Sequence, residues 1–221
     1  LGGYASDMTG TKALFLEAHA RHLGQAFTRF DYRGHGQSPG VFEEHTISDW
    51  KDDVLAILDR VVRHPFVLVG SSMGGWLMLL AGLARKERLK GLVGIAAAPD
   101  FTQRLMEPGL SDEQRAELSA TGRILMPSTY GEPVPLQQGF LEDGRRNLVL
   151  DEPVEIDRPV HLLHGQLDPD VPWQTSLDLA ARLRSSHVTV ELVKDGDHRL
   201  SRDEDLRRIA HAVDRVLDAN I

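Results

Sequence analysis

Phe66-Val67-Leu68-Val69-Gly70-Ser71-Ser72-Met73-Gly74-Gly75-Trp76-Leu77 is the stretch that decides how this chain is read. Four apolar residues, two of them β-branched, signal a strand. They run into Gly70-x-Ser72-x-Gly74, and Met73–Ala84 then reads as a helix. A sharp turn between strand and helix projects the side chain at its apex outward, and the crowded backbone on either side calls for glycine. Ser72 is therefore the candidate nucleophile. The glycines set the register, because Ser71 has Val69 and Met73 where the pattern needs them. An alcohol at its ordinary pKa attacks poorly, so Ser72 implies a base to take its proton and backbone N–H groups to receive an oxyanion.

Working outward, apolar segments alternate with helical ones. Ala26–Asp31 is a strand candidate ending in the turn Arg33-Gly34-His35-Gly36. From about Thr46 to Val62, residues Ile47, Trp50, Val54, Ile57, Leu58 and Val61 recur at helical spacing. Leu92–Ala96, Val160–His164 and Val188–Val193 read as strands, and Trp173–Leu183 and about Arg202–Asp218 as helices. This alternation predicts an α/β fold with a mostly parallel sheet flanked by helices. The continuous apolar run 66–69 predicts a sheet covered on both faces.

One interval departs from this rhythm. Residues 99–158 show no convincing strand and hold six of the eleven prolines. Ser111-x-x-Gln114 spells a capping box opening a helix to about Thr121, and Leu136–Leu148 reads as a second, glycine-interrupted helix. About sixty residues exceed what a connector needs. The expectation is a helical lid (99–158) inserted between two core strands, over the sheet's carboxyl edge where such folds place their sites. Residues 1–98 and 159–221 form the core.

A serine nucleophile needs a base, and the base needs an orienting carboxylate. After Val160–His164 comes Gly165-Gln166-Leu167-Asp168-Pro169-Asp170-Val171-Pro172, a turn at the same sheet edge as Ser72. Asp168 is the expected acid, with Asp170 and Asp100 as alternatives. After the strand ending near Lys194 comes Asp195-Gly196-Asp197-His198-Arg199, and His198 is the expected base. His211 falls inside the last helix, while His161 and His164 belong to a strand, where packing or hydrogen bonding is their expected role. The oxyanion donors are expected to be the N–H of Met73, just after the nucleophile, and that of Tyr4 in the opening loop Gly2-Gly3-Tyr4.

Composition excludes several classes. With 221 residues, 41% of them hydrophobic and 26% charged, the chain suits one globular domain with a substantial core. A net charge of −8 disfavours nucleic acid and anionic membrane as partners. No apolar run approaches the ~20 residues of a membrane span. The absence of cysteine removes disulfides, thiol nucleophiles and thiolate-bound metal, and the histidines lack metal-site spacing. Neither a metal nor a cofactor is expected. A cysteine-free chain fits a reducing compartment, the cytoplasm being expected and the mitochondrial matrix the alternative. The sequence opens at Leu1 inside a functional loop, so a targeting segment upstream would not be seen.

With these residues assembled, the chain resembles the α/β-hydrolase superfamily along its whole length. Asp31-Tyr32-Arg33-Gly34-His35-Gly36-Gln37-Ser38 is similar to that fold's post-strand turn, and Ser72, Asp168 and His198 follow its chain order. Gly10-Thr11-Lys12-Ala13-Leu14, Gly70 through Leu79, Leu162-Leu163-His164-Gly165, Val171-Pro172-Trp173 and Asp197-His198-Arg199 narrow the resemblance. They are similar to the acyl-protein thioesterases (depalmitoylases) and acyl-glucuronide esterases of the α/β-hydrolase-domain group and their bacterial relatives. The resemblance implies a Ser72-His198-Asp168 triad that cleaves carboxylic thioesters or esters, on small-molecule or protein-linked acyl groups, through an acyl-enzyme. A general small-ester carboxylesterase and a catalytically silent ligand-binding module are the alternatives. A dehalogenase or epoxide hydrolase would carry aspartate at position 72.

Two departures accompany it. Gly2-Gly3 stands where many members have His-Gly, and the two or three strands that usually precede this loop are not seen. Those strands are expected upstream of Leu1; without them an exposed strand edge would invite aggregation. Within 99–158, Phe101, Leu105, Met106, Ile124, Leu125, Met126 and Phe140 are the expected lining of an acyl-chain pocket.

Overall fold

A computed structural model describes residues 1–126 and 133–219. Four of the apolar segments pair as β1 (Phe66–Ser71), β2 (Leu89–Ile95), β5 (Val160–Gly165) and β6 (Val188–Val193), all parallel, in the order β1-β2-β5-β6. Parallel strands need crossovers, and helices supply them on both faces. On one face lie α2 (Ile47–Arg60), α3 (Met73–Ala84) and α7 (Gln174–Arg182); on the other lie α1 (Thr11–His22) and α8 (Asp203–Asp218).

Local chemistry fixes the helices. Thr46 and Asp49 form a capping box that starts α2 and aims Ile47, Trp50, Val54 and Leu58 at the core. α3 buries Met73, Trp76, Leu77, Met78 and Leu79 around its circumference, as a central helix must. The sheet's own edge modifies one expectation. β1, at the sheet's edge, alternates buried Phe66 and Leu68 toward α2 and α3 with half-buried Val67 and Val69 toward α1 and α8.

Two sequence expectations are corrected and one helix is added. Ala26–Asp31 is not a strand: no ladder engages it, and the Asp31 carboxylate instead accepts from the N–H groups of Met8 (2.7 Å) and Gln37 (3.0 Å). Helix α1 was not anticipated, since only Leu16 and Ala20 are buried along it and no apolar stripe marks it. The interval 99–158 is not purely helical either. It passes through a π-helical turn (Thr102–Met106), α4 (Glu107–Gly109) and α5 (Asp112–Thr121). An antiparallel hairpin of β3 (Arg123–Met126) with β4 (Val134–Gln137) follows, and then α6 (Gln138–Arg146). The capping box is present, with Ser111 N–H donating to Gln114 Oε1 at 2.9 Å, and Gly122 at φ 77° stops α5. Residues 127–132 of this interval, Pro127 among them, lie outside the described residues.

Buried polar groups tie the excursion to the core. Asp100 accepts from the N–H groups of Val149 and Leu150, each at 2.9 Å, and so closes the excursion's two ends. Asp143 on α6 accepts from Ser48 N–H and Oγ–H at the start of α2, both at 2.8 Å. The Trp76 indole N–H donates to the Asn147 carbonyl at 2.9 Å. Each of these would leave a buried unpaired group if broken, at a cost of about 1–3 kcal/mol.

Candidate active site

The carboxyl ends of β1, β2, β5 and β6 share one edge, and the loops leaving them converge there. Ser72 sits between β1 and α3 at φ 55°, ψ −122°, a left-handed conformation that costs a non-glycine residue energy. Its backbone is held on three sides: the N–H donates to Ile95 O (3.0 Å), and the carbonyl accepts from Gly75 N–H (2.8 Å) and Ala98 N–H (3.1 Å). A serine at a helix start ordinarily caps the first turn, but Ser72 Oγ makes no such bond. The flanking glycines are needed for close approach. A Cβ at Gly70 would lie 2.3 Å from Gly74 O, and one at Gly74 would lie 2.3 Å from Leu1 O. Among the described residues, the non-glycine positions with positive φ are Ala5, in the opening loop, and Ser72, Ala96, Asp100 and Leu200, in the loops after β1, β2 and β6.

Two backbone segments lie against this turn. Met73 is the first residue of α3, so its N–H has no acceptor within the helix and lies at the end that favours negative charge. The opening loop runs beside β1, with Leu1 nitrogen donating to Val69 O (2.7 Å) and Ser71 N–H to Leu1 O (3.1 Å). It then passes so close to the elbow that a Cβ on Gly3 would lie 3.4 Å from Ser72 Cβ. Tyr4 follows in a turn closed by Ser6 N–H on Gly3 O (3.3 Å), with its ring edge-on to Phe42 and Phe101 at 4.8 and 6.0 Å.

The loops after β5 and β6 meet at their glycines, since a Cβ on Gly165 would lie 2.3 Å from Gly196 O. This contact brings Asp168 and His198 together, with His198 Nδ1 2.7 Å from Asp168 Oδ2. The Asp168 carboxylate is fully buried. Burial pushes its pKa up, but hydrogen bonds from His164, His198 and Val171 N–H outweigh that and hold it well below the usual carboxylate range. Oδ1 accepts from the N–H groups of Asp170 and Val171, both at 2.8 Å, which fixes the plane of the carboxylate. His198 is partly exposed and borders an open groove, about 1880 Å³ in all, that runs from α1, residues 25–30 and the outer edge of β1 to Tyr4, Ser72, Met73 and Phe101.

The structure therefore sets Asp168 directly behind His198, with Ser72, Met73 and Tyr4 along the same groove. The alternative acids fall elsewhere. Asp100 is spent on Val149 and Leu150, and burial pushes its pKa up. Asp170 has its ligand atoms within 4.8 Å of those of Asp168 and His198, a spacing that could hold a cation. The four donors already on Asp168, however, fill its acceptor sites. His161 lies 3.3 Å from Glu191, and His211 is exposed on α8.

A profile of the alpha/beta hydrolase family matches residues 3–213. The chain belongs to the alpha/beta hydrolase family. Human mitochondrial palmitoyl-protein thioesterase ABHD10 is 40% identical over 218 residues, 98% of this chain and 71% of that protein. Among solved structures, a putative hydrolase from Agrobacterium vitis S4 matches at TM-score 0.95 and 46% identity, covering 99% of this chain and 86% of that one. Mouse alpha/beta hydrolase domain-containing protein 10 matches at TM-score 0.90 and 40% identity, covering 99% and 88%.

Two contacts of this alpha/beta hydrolase site escaped the sequence reading. His164 hydrogen-bonds, as expected, but its partner was not foreseen: Nε2 lies 3.1 Å from Asp168 Oδ2. Its position four residues before the acid was the available signal. Lys12 donates from Nζ to the Arg199 carbonyl at 2.5 Å, one residue past His198, and burial lowers its pKa to about 8. The expected acyl lining is also narrowed. Phe101, Leu105 and Met106 border the groove, Phe101 from within the core, whereas Ile124 and Phe140 are buried away from it, Met126 is half-buried away from it and Leu125 is 59% exposed.

Proposed function

We propose that this hydrolase cleaves carboxylic thioesters and esters of apolar acyl groups through a Ser72-His198-Asp168 triad. The observation that carries the reading is the 2.7 Å contact of His198 Nδ1 with a buried, ionised Asp168, beside the cavity that Ser72 lines. A hydrogen bond at Nδ1 leaves Nε2 as the imidazole's working nitrogen. Ser72 Oγ attacks the acyl carbon while His198 Nε2 takes its proton. The carbonyl oxygen becomes an oxyanion held by the N–H groups of Met73 and Tyr4. Collapse expels the thiol or alcohol, which recovers the proton from His198. Water then repeats the sequence on the acyl-enzyme, and the carboxylic acid leaves.

Residues 99–158 act in this scheme as a lid. Phe101, Leu105, Met106 and Val134 supply its apolar wall toward the cavity, and each buried methylene contributes about 0.8 kcal/mol, roughly fourfold in binding. Thioester preference is supported by the likeness to proteins named palmitoyl-protein thioesterase. A thiol leaving group, ordinarily titrating near ~8.5, also departs with less help from His198 than an alcohol does. The cysteine-free chain and its mitochondrial relatives favour a reducing compartment, the matrix standing as alternative to the cytoplasm.

The test is kcat/KM along p-nitrophenyl esters from two to sixteen carbons, repeated with matched acyl thioesters. Efficiency is expected to climb from acetyl by about fourfold or less per methylene until the cavity is filled. A steady fall from acetyl upward would remove the acyl-pocket reading and leave a small-ester hydrolase.

A further inference from the structure

Asp168 holds His198 through Oδ2, and the same oxygen receives a second imidazole. His164 lies on β5 with a fully buried side chain. Its Nε2 is 3.1 Å from Asp168 Oδ2 and 3.0 Å from the Val171 carbonyl, while its Nδ1 is 2.7 Å from Ser176 Oγ on α7. A carbonyl only accepts, so Nε2 carries the hydrogen and shares it between Val171 O and Asp168 Oδ2. The Ser176 hydroxyl, itself buried, then donates to Nδ1. The chain Ser176-His164-Asp168-His198 thus runs from α7 through β5 to the cavity without an unpaired atom.

We propose that His164 is a positioning residue of the hydrolytic reaction: oriented by Ser176, it fixes the Asp168 oxygen that in turn orients His198. The proposal rests on the triad reading and deepens it. Oδ1 is held by two backbone N–H groups of its own turn, which set the carboxylate's plane. Without the His164 donor, Oδ2 loses its tie to β5 and α7, and His198 has to orient against a carboxylate anchored on one side. The donor also withdraws negative charge from the oxygen that faces His198. Its removal makes that oxygen a stronger acceptor and favours the imidazolium. The charged groups around His198 are otherwise unaltered: Asp170 beside Asp168, Asp197 and Arg199 on its own loop, and Lys12 from α1.

The experiment compares H164F, which keeps an aromatic ring without donors, H164Q, which can return an N–H toward Asp168, and S176A, which frees the ring of His164 at Nδ1. Thermal melts are run first, then kcat, KM and pH profiles on a p-nitrophenyl ester, with D168N as reference. H164F is expected to lose about 10- to 100-fold in kcat, the scale of a misplaced catalytic group. Its KM should stay within about twofold, and the acid limb of kcat/KM should move to higher pH. H164Q should recover part of both, and S176A should move both in the same direction by less. S176A keeps every imidazole and reads the same quantity if H164F fails to fold. A purely structural histidine would lower the melting temperature and leave the pH limb in place in every folded variant. That result, with D168N inactive, overturns the proposal alone. D168N at wild-type rate overturns the triad and the proposal together.

Discussion

Replacing Gly74 by alanine asks whether the opening loop serves the chemistry. A methyl group there would lie 2.3 Å from Leu1 O and 2.5 Å from Gly2 O, both backbone atoms that cannot swing aside. Ordinary contact begins near 3.4 Å, so the loop or the start of α3 must retreat by about 1 Å in a packed interior. Tyr4 is two residues beyond Gly2, and its N–H moves with the loop. Displacing a catalytic donor by that distance costs about 100-fold, and losing one oxyanion donor outright costs about 10²–10³ in kcat. Alanine is meanwhile the better helix former by about 0.5–1 kcal/mol, which offsets part of the strain in the melting temperature but none of it in the rate. G74A should therefore lose about 100-fold in kcat with KM within about threefold. The control is G82A on the same helix, where the nearest atom is the flexible Leu89 Cδ2 at 3.2 Å; its activity should match wild type. Steady-state kinetics and thermal melts on both variants decide the matter. G74A at wild-type kcat would refute the claim that this loop positions a donor.

Three further outcomes follow from the geometry. D168N should cost about 10⁴ in kcat, whereas D100N should leave the rate near wild type and lower the melting temperature, because an amide cannot accept from both Val149 and Leu150 N–H without turning its own NH₂ against one of them. L105A and M106A should lower kcat/KM on esters of twelve or more carbons and leave acetyl esters unchanged, measured along the ester series. Lys12 is deprotonated in the folded chain from about pH 8, below its unfolded value, so the unfolded state binds more protons between the two. Stability of wild type relative to K12M should therefore rise with pH above about 8, as read by denaturant melts at a series of pH values.

The parts of the fold legible in the sequence are those where one pattern dominates locally. The strand, Ser72 and glycines of the elbow, the striped helices α2 and α8, and the Ser111 capping box each occupy a few adjacent residues. The meeting of Asp168 with His198 was legible because parallel strands send their following loops to one edge. The excursion's hairpin was not, since its strands have four residues each and one contains Pro135. Helix α1 presents too little apolar surface for periodicity to find it. Ala26–Asp31 has strand composition, but a strand exists only with a partner, and Asp31 is committed to a turn instead. The acyl lining failed in part because apolar residues pack a core and line a cavity with the same side chains; the burial of Phe140 against Tyr4, Trp50 and Phe101 is what places it in the core. His164 needed the fold as well, because Ser176 and Val171 reach it from separate segments.

The most direct test of the account is covalent labelling by an active-site fluorophosphonate, with the modified peptide identified by mass spectrometry. The account predicts one adduct, on Ser72, at a rate that falls in H198A and D168N and vanishes in S72A. An adduct on another serine, or undiminished labelling of S72A, would contradict it.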